Sequence, residues 1–429
     1  MAESLSSDEK INVETTIKPF ALFPLNFDDY NVEKRKQSSG FAKIYHMLIK
    51  AFILHMLIRS LFVLWYEDDY FRKLLGYSYK AYPYLDWVVI FYLTYTYAIL
   101  YVGARSCKNN TYNMEFVEIF KVLNGTKLPQ EIGTNIKIVE SLSRYAHSKM
   151  ASCRYIIGVR TVIGSIVFAS IYLDNTPLLK SGGIEEVDYY SVAWGVLLTL
   201  FVFICSGVIY VTINLFDILG YYFQLRFHKV NQDIESIITA RESPTSNVKV
   251  VELMRQILIE HDSLCWKLDH YNRYWCLIVM ITFFVQPTIF VYTMYEICFM
   301  WQTWGALGLL WALNLESAYL FTRMFLIGVA LSDEVHHIYL RAVRASFAKY
   351  PLDLRLQIRI FIQRISGATI GFYCYDLFGL SRHSFYHALV HMGQNFFLII
   401  DFVVSQKQAR EQIAIERAAR AAALGNMAG

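Results

Sequence analysis

The side chains with most chemical potential sit close together near the end of the chain, in Ser381–Val404, which reads SRHSFYHALVHMGQNFFLIIDFVV. About 20 apolar residues cross a bilayer as a helix, yet this stretch carries three histidines, a glutamine, an asparagine and an aspartate. Spaced alternately four and three apart, His387, His391, Gln394, Leu398 and Asp401 fall on one helix face. Phe385, Leu389, Phe396, Ile399 and Ile400 lie largely away from it. Lipid offers the polar groups no partner, so the stripe must turn to protein or water. Hydrogen bonds to neighbouring helices are one outlet, since His, Asn and Gln make them in membrane bundles. The wall of a water-filled pore is the other, and a stripe ending in a carboxylate favours it. His383, His387 and His391, four apart, also have the spacing at which imidazoles on one face chelate a metal. Pore or helix-contact histidines are the simpler account, and neither a metal nor a cofactor is expected.

A second candidate site draws on other apolar segments: Trp87, Phe91, Tyr95, Trp194, Gln286, Phe290, Trp311, Asn314, Glu316 and Tyr319. Ligand pockets pair aromatic walls with a few polar groups, whereas Trp and Tyr at the ends of spans also serve as interface anchors. Arg59, Arg160, Glu316 and Arg323 fall inside apolar runs, where an unpaired charge is costly. Structural pairing is therefore expected for them, a ligand or gating role being the alternative. Glu316 and Arg323, seven apart on one helix face, are expected to share a polar cluster.

Seven apolar segments are available to position these residues, at 42–66, 82–103, 155–173, 190–215, 276–300, 303–331 and 381–404. The stretch 357–378 reads as a shorter apolar helix leading to the last segment, with a break near Gly379. If the N-terminus is inside, 27 of the 40 Lys and Arg residues lie in the inner segments and 8 in the outer ones. That asymmetry orients a multipass protein with its N-terminus in the cytoplasm and its C-terminus outside. The resulting division is a cytoplasmic tail 1–41, a seven-transmembrane domain 42–404 with inner loops 104–154, 216–275 and 332–367, and an extracellular tail 405–429. The fold class is all-α, a seven-transmembrane helical bundle with long intracellular helices. Apolar residues keep a helical period past the membrane in Leu215–Thr239 and Val250–Leu268, and with 334–349 these predict a helical bundle beneath it. The sequons at Asn109 and Asn124 fall in an inner segment, where they are expected to stay unmodified.

Composition narrows the function further. At 429 residues, 55% hydrophobic and 18% charged, with a mean hydropathy of +0.32, the chain is too apolar for an ordinary soluble enzyme. The 31 Tyr and 30 Phe exceed what interfacial belts require and suggest an aromatic-lined interior. No basic block resembles a nucleic-acid-binding arm. The first 40 residues contain no apolar signal core, so the first span is expected to act as its own insertion signal. The seven cysteines offer no outer pair for a disulfide. CxxC, HExxH, GxSxG and Walker patterns are all missing, and no enzymatic activity is expected.

The order of features resembles the invertebrate gustatory receptor family, which is related to insect odorant receptors. The family's motif at the end of the seventh span is Thr-Tyr, five hydrophobic residues, then Gln-Phe. The corresponding stretch here is Gln394-Asn395-Phe396-Phe397-Leu398-Ile399-Ile400-Asp401-Phe402. Spacing and Phe402 agree, while Gln394-Asn395 replaces Thr-Tyr and Asp401 replaces the glutamine. Ile365-Ser366-Gly367-Ala368 and Tyr375-Asp376-Leu377-Phe378-Gly379 occupy the region of the family's small-residue and Phe-x-Leu-Asp segments. These departures fit a divergent branch, such as nematode members that sense short-wavelength light or hydrogen peroxide.

The resemblance implies a stimulus-gated cation channel in the plasma membrane of sensory neurons. It implies a homo- or hetero-tetramer embedded in membrane lipid, with the last helix of each subunit lining the pore and a small molecule or light as stimulus. Asp401 would then form a carboxylate ring near the outer mouth, and Leu398 or Ile399 an apolar constriction. A G-protein-coupled chemosensory receptor is the first alternative, but it needs the opposite orientation. A multipass transporter is the second, though no internal repeat supports it.

Overall fold

The computed structural model describes residues 40–65, 75, 90, 93–101, 136–175, 189–239, 247–299, 304–347, 350, 352–367, 370–375 and 377–427. Eight labelled helices carry the description: α1 (Gly40–Trp65), α2 (Ile136–Asn175), α3 (Tyr189–Thr239), α4 (Asn247–Phe299), α5 (Trp304–His337), α6 (Tyr339–Ser346), α7 (Leu352–Ser366) and α8 (Arg382–Met427). A further helical stretch covers 93–101. Strands β1 (Tyr373–Cys374) and β2 (Phe378–Gly379) pair antiparallel, Tyr373 with Gly379 and Cys374 with Phe378.

Helices α3 and α4 are 51 and 53 residues long, and at 1.5 Å per residue each is more than twice the length needed to cross a ~30 Å hydrocarbon core. Among the described residues, Ala193–Ile237, Trp275–Phe299 and Leu307–Ser346 are long and apolar enough to cross a membrane. The predicted segment 155–173 falls within α2, and 42–65 and 382–404 of the first and last segments fall within α1 and α8, whereas much of 82–103 lies outside the described residues. The helical period read in Leu215–Thr239 and Val250–Leu268 is realised as the continuation of α3 and as the first half of α4. Within 216–275 the described residues 216–239 and 247–275 are therefore helical.

Two predicted elements change. The helix expected over 357–378 runs instead from Leu352 to Ser366, and beyond it Tyr373–Cys374 and Phe378–Gly379 form the hairpin strands. Glycines at 367, 371 and 379 interrupt the helical run, and Tyr375 adopts a left-handed φ of 48° in the turn. The helix expected over 334–349 is interrupted at Ile338, between α5 and α6.

The core lies where α3 meets α2, α4 and α5, and is built from Phe216, Phe223, Phe227, Phe321 and Phe325. The hairpin plugs into it. Phe372 packs on Phe216 with ring centroids 4.4 Å apart, and Phe378 on Phe283 at 4.4 Å. Asn272 on α4 fixes the hairpin backbone, donating to Gly371 O at 2.8 Å and accepting from Tyr373 N at 3.3 Å. Backbones also approach closely: a Cβ on Gly328 would stand 2.2 Å from Leu380 Cβ, and one on Gly220 would stand 2.4 Å from Ile327 Cγ2.

Candidate pore helix and buried polar cluster

Helix α8 begins with reciprocal caps: Ser381 N donates to Ser384 Oγ at 2.9 Å, and Ser384 N to Ser381 Oγ at 3.3 Å. Arg382 adds a two-nitrogen contact to Asp333 Oδ2 on α5, at 2.9 and 2.6 Å. From this anchor the helix buries one narrow row, Phe385, Ala388, Met392, Phe396 and Ile399, against the rest of the subunit. Phe385 meets Phe325 at 5.3 Å and Phe396 meets Phe299 at 6.3 Å between centroids.

His387, His391, Gln394, Leu398 and Asp401 lie on the opposite side of α8, and all five are exposed. At 100° per residue the two rows are separated by roughly 140°. Leu398 is 63% exposed, so its apolar side chain is as uncovered as its polar neighbours. Tyr386, Val390, Phe397 and Val404, also exposed, form an apolar flank beside the stripe. His391 Nδ1 and Gln394 Oε1 are 3.0 Å apart, a hydrogen bond along the stripe itself. The subunit buries the greasy row and leaves the polar one uncovered.

The second set of candidates is divided by the structure. Trp87 and Phe91 lie outside the described residues. Tyr95 is fully buried, its hydroxyl 2.7 Å from Thr282 Oγ1 on α4. One turn beyond Thr282, Gln286 is buried with neither amide atom partnered among the described residues. Pro287 follows it inside α4 and lacks an N–H, so the backbone ladder also loses a bond at this level. Phe290 is half-buried in the same face. Its carbonyl accepts from Asn314 Nδ2 at 3.0 Å, and Asn314 donates also to Thr293 Oγ1 at 3.0 Å, tying α5 to α4.

Glu316 on α5 pairs with Arg160 on α2 at 2.5 Å. Arg160 also donates to Ser206 on α3 at 2.8 Å and stands 5.7 Å from the Tyr210 ring centre. Tyr95, Gln286, Asn314 and Glu316 therefore belong to a buried polar seam among 93–101, α2, α3, α4 and α5. Trp194 is half-buried on α3 with the Arg59 guanidinium 4.6 Å over its ring. Trp311, 43% exposed, turns outward, whereas Tyr319, 40% exposed, lies beside the Tyr210 ring with centroids 6.1 Å apart.

Glu316 and Arg323, seven residues and about 10 Å of helix apart, take different direct partners. Arg323 pairs with Asp217 on α3, which also faces Lys149 Nζ at 3.4 Å and accepts from the Tyr145 hydroxyl at 2.7 Å. Arg323 donates to that hydroxyl at 3.2 Å, and Tyr145 stacks on Tyr221 at 4.0 Å. Asp217 escaped the sequence reading because it falls just past the predicted end of its span. A lone carboxylate in an otherwise apolar run was the signal that would have found it.

No family model matches the sequence, and no curated relative matches it either. Among solved structures, the chain is similar to the insect olfactory receptor OR5 from Machilis hrabei, with a TM-score of 0.62 and 12% identity over 91% of this chain and 99% of that one. The chain has the insect olfactory receptor fold. The same receptor in complex with eugenol aligns with a TM-score of 0.58 and 12% identity, over 92% of this chain and all 100% of that one. At this identity the likeness resides in helix order and packing.

Proposed function

We propose that this protein is a subunit of a stimulus-gated cation channel, a gustatory-type sensory receptor whose last helix lines the pore. The observation that carries the reading is the placement of His387, His391, Gln394, Leu398 and Asp401 on the side of α8 facing away from its own subunit. A polar row uncovered by its subunit, on a helix that carries residues 382–404 of the last apolar segment, requires water or another polar surface. Four copies around an axis supply both, with stripes turned inward and the Tyr386, Val390, Phe397 and Val404 flank covered by neighbours or lipid. The reading carries seven spans over 42–404, a cytoplasmic N-terminus, an extracellular 405–429 tail and a plasma-membrane location in sensory neurons.

In this arrangement Asp401 forms a ring of carboxylates that concentrates cations, and Leu398 makes the apolar constriction that gates by dewetting. The buried seam around Tyr95, Gln286, Asn314 and Glu316 receives a small molecule. Gln286 supplies an amide donor and acceptor in a site lined by the apolar bodies of Phe290 and Tyr95. The Machilis hrabei receptor of similar fold was solved in complex with eugenol, a small molecule, which supports a ligand stimulus. Light or hydrogen peroxide remains the narrower expectation carried from the resemblance. Asp401→Asn in cells expressing the full chain tests the reading: patch recordings should show altered cation selectivity or reduced conductance, and unchanged permeation would contradict it.

A further inference from the structure

His383, His387 and His391 follow one another at four-residue intervals on the uncovered side of α8, and all three are exposed. The rings of His383 and His387 stand 4.3 Å apart between centroids, edge to face at 81°. His391 has its Nδ1 3.0 Å from Gln394 Oε1. An amide oxygen only accepts, so in the neutral ring Nδ1 carries the hydrogen and Nε2 keeps its lone pair. An oxygen acceptor behind the distal nitrogen is the arrangement that orients imidazoles for metal binding.

We propose that this ladder binds a divalent ion of the zinc class, and that an ion held there obstructs the pore. Imidazole nitrogen suits zinc, copper and nickel, whereas calcium and magnesium take oxygen ligands. The ladder would thus be blind to the alkaline-earth ions a cation channel meets and responsive to transition ions. Among the described residues no group of three or more His, Cys, Asp and Glu converges within one chain. Each subunit therefore offers two neighbouring imidazoles, with remaining positions filled by water or by ladders from other copies. Such a site is open and reversible, unlike the closed four-ligand sites that hold structural zinc.

The binding step needs α8 alone, while the obstruction rests on the proposed pore. The test is arranged accordingly. Zinc chloride, with calcium chloride as comparison, is applied to the inner face of excised patches, because α8 starts at that face in the proposed orientation. The same zinc chloride is titrated calorimetrically into the purified full chain in detergent. Zinc, but not calcium, should reversibly reduce the current. His387→Ala, which removes one ring of the His383–His387 pair, should raise the half-blocking concentration and weaken calorimetric binding by about 10–100-fold. His391→Ala, which leaves the His383–His387 pair intact, should shift both less. All three side chains are exposed, so these changes leave the packing of α8 intact.

If current flows and zinc leaves it unchanged, the obstruction is overturned while the pore reading stands. If no current can be elicited but zinc binding depends on His387, the metal site is supported and the pore reading fails. Binding that is equal in the wild type and His387→Ala overturns the site.

Discussion

Arg160 and Glu316 hold opposite charges on two different helices, and Glu316 is almost completely enclosed while Arg160 keeps 21% of its side-chain surface. Removing one member of such a pair strands the other, at a cost of about 3–5 kcal/mol for an enclosed pair, whereas replacing both by apolar residues of similar size is far milder. Glu316→Gln should lower the thermal midpoint of the purified protein markedly, and Arg160→Met with Glu316→Leu should recover most of the loss. If the seam also receives the stimulus, the recovered double variant still conducts poorly on stimulation, which recording it beside the wild type decides. His261 on α4 makes a second residue-scale prediction. It is fully buried between Phe227 and Phe361, near Cys265, Arg364 and His336. Burial first, and the positive Arg364 second, push its pKa down to about 4. The folded state therefore binds its proton less readily than the unfolded chain. The stability His261 contributes is fully present above about pH 6.5 and is lost as pH falls toward 4, by up to about 3 kcal/mol. His261→Phe should flatten that part of the melting-temperature profile, and an unchanged slope would contradict the assignment. The sequence marked Arg160, Glu316 and Arg323 as charges needing partners but could not name the partners. Asp217 and Arg323 are 106 residues apart, and no periodicity connects them.

Helix α8 was legible as an element because its alternation of polar and apolar positions is a property of the helix alone. Its buried row and exposed stripe follow from spacing of three and four residues, whatever surrounds it. The β1–β2 hairpin before it was not legible, since its two-residue strands carry no alternation and its place is set by Phe216, Phe283 and Asn272, contributed from far upstream. That hairpin and the α5 backbone fix where α8 starts. Gly328 lets α5 approach Leu380, one residue before the Ser381 cap. Gly328→Ala should force the two apart and destabilise the junction by about 1–3 kcal/mol, as overpacking does. The check is a reduced melting temperature with current lost or made constitutive; a variant that melts and gates as the wild type does would show that the close approach is dispensable.

For the whole molecule, a 12% identical structure with a TM-score of 0.62 means that helix order and packing survive where side-chain identity does not. Sequence pattern exposed the apolar segments and the orientation bias for the same reason: both depend on composition averaged over many residues. What it could not expose is assembly, which depends on surfaces complementary between copies. The account requires that the uncovered side of α8 be shared, so the purified protein should run in detergent as a species of four 50.0 kDa chains by native mass measurement, and a monomer would leave the stripe without a partner. The most direct measurement is cysteine accessibility along α8 in a Cys298→Ser background, since Cys298 is exposed among the described residues. Cysteines placed singly at His387, His391, Gln394, Leu398 and Asp401 should react with a charged, membrane-impermeant thiol reagent and block the current, while those at Ala388, Met392 and Phe396 should not. Reaction confined to the second set, or to neither, would contradict a water-filled path along this helix.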